Sequence, residues 1–231
     1  MTANTVLLER VAPHLARAGS AFVYLGGAIV DLLLSDPASP PARPTDDVDT
    51  IVEVSSASQY YQLAERLRAA GFKEDTSPVA PLCRWLVAGT KVDVMPTEAT
   101  VLGFSNRWYP SAIRHAHPVQ LRDGTVVQVV TAPFFVATKL EAFKSRGHGN
   151  FRDSTDIEDI VAVVDGRSEL GAEVARAPAE LRLYLSQEFR ALLGSPPFLD
   201  ALPGHLPSDA ASQARRPLLL ARMRAIISAP A

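Results

Sequence analysis

The chain has 231 residues, 47% of them hydrophobic, and a formal net charge of −2, enough for one domain with a real core or a domain plus a smaller helical lobe. This charge excludes binding of polyanions by bulk electrostatics while leaving room for a local basic face, and the single cysteine, Cys83, excludes an intramolecular disulfide and any cysteine-rich zinc module. No run approaches the ~20 apolar residues that span a bilayer, and charges interrupt the opening MTANTVLLERVAPHL early, so the expectation is a soluble cytoplasmic protein with no signal peptide and no membrane partner.

Thr5 to Ala18 reads as a helix with Val6, Leu7, Val11 and Leu15 on one face and Gly19 as its stop. Phe22 to Leu25 is strand-like and runs into the turn Gly26-Gly27, after which Ala28 to Leu34 resumes a helical pattern. The stretch SDPASPPARPTDD holds four prolines, which excludes regular structure and predicts a surface loop. Val48 to Val54 reads as a strand, and Ala57 to Ala70 as an amphipathic helix with Tyr60, Leu63, Ala64 and Leu67 inward. Leu82 to Val87 and Lys91 to Met95 flank a turn at Ala88-Gly89-Thr90. Val101 to Arg122 has no acids and holds Arg107, Arg114, Arg122 and the aromatic group Phe104, Trp108 and Tyr109. A second hairpin pairs Val119 to Leu121 with Val126 to Val130.

Helical patterns then dominate. Pro133 opens a helix to about Ser145, and Ser154 or Thr155 caps another to about Val164. Pro178 to Leu193 and Ala210 to Ile227 follow, joined by a proline-rich connection from Ser195 to Pro207. The fold class expected is α+β: a mixed β-sheet core flanked by helices over residues 1–130, and a helical part over residues 131–231 that completes an active-site cleft.

The chemistry concentrates in carboxylates. Asp47 and Asp49 are one residue apart, so in a strand both side chains leave the same face. Two such charges repel, and a cation between them removes the cost. Asp93 lies between Val92 and Val94, where a lone carboxylate is expensive unless paired or metal-bound. Placing Asp93 beside Asp47 and Asp49 answers both demands. Such a cluster suits Mg²⁺ or Mn²⁺ together with the oxygens of a nucleoside triphosphate. Gly26 and Gly27 would let that triphosphate approach the backbone, and the following helix would add amide donors. Each signal also has an ordinary reading: Asp46 to Asp49 as a solvated turn, and the glycine pair as a bare turn. There is no P-loop, no GxGxxG and no HExxH, and His14, His115, His117, His148 and His205 are too scattered for a zinc site.

In the helical part, Lys139 sits amid apolar residues with Arg146 seven positions on, roughly the same face. Both are candidates to reach phosphates. Glu158 and Asp159 fit ordinary first-turn helix chemistry; Asp156 is read as a partner of Lys139 or an aid to the incoming nucleophile. Arg107 and Arg114 are candidates for nucleic-acid phosphates, while Trp108 and Tyr109 either close the core or serve a substrate.

GG, then DDVD, then the strand KVDVMP, resembles the polymerase β-like nucleotidyltransferase superfamily. NRWYPSAI, VVQVVTAPFF, ATKLEAFKSRG and STDIEDIVAVVDGR are more specific and resemble the nucleotidyltransferases grouped with the AbiE-type abortive-infection toxins. The resemblance covers roughly Tyr24 to Arg167. It implies a nucleotidyltransferase-like core with Asp47 and Asp49 as metal ligands, Asp93 as a third carboxylate, Gly26-Gly27 facing phosphates, and functional roles for Lys139 and Asp156. Some members of that family transfer a nucleotide from an NTP to the acceptor end of tRNA and are accompanied by an antitoxin protein. The implied function is metal-dependent nucleotidyl transfer to an acceptor hydroxyl, with the tRNA 3′ end first. Antibiotic-like small molecules, protein hydroxyls and a non-catalytic nucleotide-binding module stand as alternatives. The chain departs from the family's pattern at Asn150, where an acid is expected, and in the long proline-rich loop.

Overall fold

The computed structural model describes residues 2–147 and 149–228, so His148 of the histidine set lies outside them. The described residues form two compact units: the first runs up to Leu32 and from Arg43 to Thr131, and the second takes Leu33–Ala42 and the described residues from Ala132 on.

The first unit is built on a seven-stranded mixed sheet in the order β3-β4-β5-β2-β1-β7-β6. Its strands are β1 (Val23–Leu25), β2 (Asp47–Val52), β3 (Lys73–Glu74), β4 (Arg84–Val87), β5 (Thr90–Pro96), β6 (His117–Gln120) and β7 (Val126–Val129). β2 runs parallel to β5 and antiparallel to β1, so both carboxylate-bearing strands are neighbours at the centre of the sheet. Central strands lose water from both faces, which is why Val48, Ile51, Val92 and Val94 are fully buried.

Helix α1 (Ala3–Arg17) is capped by Thr2, whose side chain accepts from the Thr5 amide. Its buried face is Leu8, Val11, Ala12 and Leu15, with Asn4; the expected Val6 and Leu7 are only half-buried, so the face is rotated by about one residue. The helix expected after Gly26-Gly27 is a 3-10 turn, Gly27–Ile29, followed by a single α-helical turn, α2 (Val30–Leu33). So short an element has almost no macrodipole. Helix α3 (Ala57–Ala69) is capped by Ser56 and buries Tyr60, Leu63, Ala64 and Leu67, the four residues its spacing predicts.

The turn joining β4 to β5 is shorter than expected. Ala88 (φ 48) and Gly89 (φ 74) both lie in the left-handed region, and Thr90 already pairs with Val87. This is a two-residue turn of type I′, whose twist matches the strands it joins. β3 has no apolar pattern and was not legible in the sequence. The acid-free stretch holds two short helices, α4 (Ala99–Leu102) and α5 (Tyr109–Arg114), with Trp108 and Tyr109 buried.

The second unit is helical: α6 (Ala132–Arg146), α7 (Thr155–Gly166), α8 (Leu170–Arg176), α9 (Ala179–Leu193), α10 (Pro196–Ala201), α11 (Ala210–Gln213) and α12 (Arg216–Ile227). Ser154 caps α7 by accepting from the Ile157 amide. The irregular connection expected over Ser195 to Pro207 is instead α10 and a 3-10 turn, Leu202–His205, because its prolines fall at first-turn positions where no amide is missed. The single helix expected from Ala210 to Ile227 breaks before Arg216, and Pro217 falls in the first turn of α12. Segment 33–42 packs in this unit through the amides of Ser35 and Asp36, which donate to the Gly166 carbonyl at 2.8 and 2.9 Å. A Cβ on Gly166 would fall 2.5 Å from Leu34 Cδ2, so a side chain there would require Leu34 to shift. No helix among the described residues is long and apolar enough to cross a membrane.

Candidate active site

Strand register assembles the carboxylates. Asp49 lies beside Asp93 in the parallel pairing of β2 with β5, and Asp47 lies two residues earlier on the same face of β2. Asp47, Asp49 and Asp93 each offer an oxygen within 4.8 Å of the others, and no other such group occurs among the described residues. On the opposite side, Leu25 of β1 pairs with Asp49, so the next residue, Gly26, meets the Asp49 carboxylate. A Cβ on Gly26 would fall 1.8 Å from Asp49 Oδ2, and Gly26 also has φ +75. Glycine is therefore required here twice, for conformation and for space.

Arg84 joins these acids, though no motif in its own stretch of sequence marks it. Its register position on β4 is directly across from Asp93. Arg84 Nε donates to Asp93 Oδ1 and Nη2 to Asp93 Oδ2, both at 2.8 Å, and Nη2 also reaches Asp47 Oδ2 at 3.3 Å. This is a bidentate fork with a third contact on the next strand, a geometry that a guanidinium makes and an ammonium does not. The hydrogen bond to Asp93 is the largest of the effects that raise the Arg84 pKa further above its already high range.

Other groups hold the cluster from behind. Thr45 Oγ1 donates to Asp47 Oδ1 at 2.7 Å. Thr45 is itself fixed by buried Asn4, whose Oδ1 accepts from the Thr45 amide at 3.0 Å while its Nδ2 donates to Asp31 Oδ2 and to the Arg43 carbonyl. At the rim, half-buried Lys91 pairs with exposed Asp46 at 2.6 Å, which places Asp46 outside the cluster. Cys83, buried just before Arg84, has its thiol pushed up to about 12 by burial and, secondarily, by the charges of Asp93 and Asp49.

The donor set fits a hard divalent cation. Three carboxylate oxygens converge without sulfur or imidazole, which suits Mg²⁺ or Mn²⁺ over softer metals. Asp47 and Asp49 leave one strand face, and Asp93 adds a ligand from the neighbouring strand.

The second unit holds its own buried charge cluster. Lys139 Nζ lies 3.2 Å from Asp156 Oδ1 and 2.7 Å from Asp159 Oδ2, with all three side chains nearly removed from water. Arg146 adds a fork to Asp156, Nε to Oδ2 at 2.9 Å and Nη2 to Oδ1 at 2.7 Å. Burial opposes ionisation of Asp156, yet the Arg146 hydrogen bond and the charges of Lys139 and Arg146 outweigh it and hold the carboxyl below its usual range. Asp159 is thus not an ordinary first-turn acid: it is 1% exposed and ion-paired. Its spacing of three from Asp156, which puts both on one face of α7, is the signal that could have found it. Of the arginines considered for nucleic acid, Arg107 stacks over the Trp108 ring at 4.9 Å and Arg114 donates to Ser111 Oγ at 2.7 Å.

No family model matches the sequence, and no curated protein matches it. Among solved structures, the fold is similar to an antigenic nucleotidyltransferase-like protein from Paracoccidioides brasiliensis, at 18% identity and a TM-score of 0.49 over 87% of this chain and 92% of that one. It is also similar to the antibiotic-resistance factor ANT(2'')-Ia, at 13% identity and a TM-score of 0.49 over 82% of this chain and 95% of that one. A third similarity is to JHP933 from Helicobacter pylori, at 11% identity and a TM-score of 0.48 over 96% of this chain and 89% of that one.

Proposed function

We propose that the protein is a nucleotidyltransferase that moves a nucleotide from an NTP to an acceptor hydroxyl with the help of a divalent cation. The observation that carries this reading is the convergence of Asp47, Asp49 and Asp93 within 4.8 Å, from two adjacent strands. Asp47 and Asp49 would hold Mg²⁺ or Mn²⁺, which when bound polarises the phosphate oxygens and eases loss of the leaving group. In the transfer, the acceptor oxygen bonds to the α-phosphorus as the bond to the pyrophosphate oxygen breaks. The hydroxyl proton passes to the Asp93 carboxylate, and pyrophosphate departs. Gly26 presents backbone without a side chain beside Asp49, and on the sequence resemblance Gly26-Gly27 would face the phosphates.

Lys139, Arg146 and Asp156 enter the proposal as a unit. The ion pairs with Asp156 and Asp159 fix Lys139 and Arg146 in place and balance their charge, so their part in the transfer rests on the sequence resemblance alone. For the acceptor, the tRNA 3′ end is taken first, on the sequence resemblance alone, and with it a companion antitoxin protein.

The test is incubation of the purified protein with total RNA, Mg²⁺ and each labelled NTP, beside an Asp49→Asn variant. Label should enter one RNA species from one NTP. The variant should keep its fold by circular dichroism and lose transfer by more than about a hundredfold, the upper end of what loss of even an outer partner of a metal ligand costs. Wild-type transfer by the variant would overturn the site. Binding of Mg-NTP with no turnover on RNA, aminoglycoside or protein acceptors would leave a nucleotide-binding module instead.

A further inference from the structure

Arg84 is more than a cross-strand partner. A guanidinium facing one acid across a strand pair is an ordinary stabilising contact, but this one engages both oxygens of Asp93 and then extends past β5 to Asp47 on β2. Three carboxylates whose oxygens lie within 4.8 Å of one another carry a repulsion that the fold must offset when no cation is bound. Arg84 supplies a fixed positive charge at that spot, held partly buried with its side chain 19% exposed. The oxygens it engages belong to two of the three acids a divalent cation would use.

We propose that Arg84 is a resident counter-cation of the carboxylate site, so that its guanidinium and a divalent metal ion compete for Asp47 and Asp93. The inference rests on the cation reading of that site. The two contacts are unequal. The Asp93 fork has two bonds at 2.8 Å, whereas the contact with Asp47 is single and at 3.3 Å. The Asp47 contact is the one that yields first, leaving Asp47 and Asp49 to the cation, and the Asp93 fork is the part that resists. Arg84 is thus a positioning residue: it keeps the acids in place in the empty site and weakens cation binding in return. The cation alone then binds loosely, and occupancy comes to depend on a metal ion arriving with phosphate oxygens of its own.

The experiment is Mn²⁺ binding to the full chain without nucleotide, read from the electron paramagnetic resonance signal of free Mn²⁺. Wild type, Arg84→Gln, Arg84→Lys and Asp49→Asn are compared, with folding checked by circular dichroism. Removing a unit charge this close to the ligands should tighten Mn²⁺ binding by about tenfold or more in Arg84→Gln. Arg84→Lys, which keeps a charge but loses the fork, should fall between it and wild type. Mn²⁺ should also raise the melting temperature of Arg84→Gln by more than that of wild type, which loss of a merely structural contact would not produce. If the glutamine chain does not fold, the lysine variant decides: binding no tighter than wild type overturns the proposal. Equal or weaker binding by a folded Arg84→Gln overturns the role of Arg84 while leaving the cation site standing. Binding that survives Asp49→Asn, or no Mn²⁺ binding by any variant, overturns the cation reading and this inference with it.

Discussion

Gly26 illustrates how a residue can be singled out for one reason and be needed for another. Its neighbour Gly27 lies in the 3-10 turn, whereas Gly26 alone has the positive φ and the contact with Asp49 Oδ2. At the level of atoms, the missing side chain of Gly26 makes room for the Asp49 carboxylate. Gly26→Ala must both adopt a left-handed backbone, at about 1–2 kcal/mol, and push Asp49 aside. The expected outcome is a loss of stability of about 2 kcal/mol or more in denaturant unfolding, together with loss of Mn²⁺ binding. The acids themselves were legible because their pattern is local: a spacing of two in Asp47 and Asp49, and apolar flanks at Asp93. Arg84 was not, because nothing adjacent to it in the sequence marks it; its meaning comes from what lies across the strand.

That distinction becomes concrete at the scale of the hairpin. A turn of three residues, Ala88-Gly89-Thr90, would set Trp85 opposite Asp93. The actual two-residue turn sets Arg84 there, and a slip of one position reverses which face every side chain takes. The register turns on Ala88, which adopts φ 48, and alanine gives no warning of a left-handed position. Helix α1 holds a second long-range dependence. Asn4, 1% exposed, ties Asp31, the Arg43 carbonyl and the Thr45 amide together, and Thr45 in turn aims Asp47. Asn4→Ala removes its hydrogen bonds to the Asp31 carboxylate, the Arg43 carbonyl and the Thr45 amide, and should cost about 1–3 kcal/mol in urea unfolding. Because Asp47 loses its indirect support, Mn²⁺ binding should weaken as well. An unchanged unfolding midpoint would show that the loop end is held by other contacts.

Taken whole, the molecule shows its charges differently in its two units: one set gathered as acids on a sheet, the other neutralised inside a helical bundle. The bundle should therefore control the response to acid. The Asp156 carboxyl is held below its usual range in the folded chain, so its contribution is fully present above the unfolded value of about 3.9 and is lost as pH falls through the folded value. Unfolding midpoints should drop as pH is lowered below about 4, and the drop should be shallower in Asp156→Asn. An identical pH profile for the variant would mean that other carboxylates, such as Asp36 with its Arg215 and Arg222 partners, set the acid limit. The α+β class was readable from the change of hydrophobic period along the chain, but the helices α8 and α10 were not, being short and begun by residues that read as breakers. The proline-rich segment reads as a surface loop and is one, with no helix or strand and no buried residue over 34–45; its long-range tie is what the sequence does not show. In the structure Arg215 binds Asp36 across 179 positions of chain, and Arg222 joins it while also donating to the Asp165 carbonyl. On a ribosome adding about 5–20 residues per second, Asp36 would emerge roughly 10–35 s before the arginine that holds it. Until then Arg215 and Arg222 cannot hold Asp36, and the four prolines around it, which stiffen the chain and donate no amide, make that stretch a poor partner for a strand.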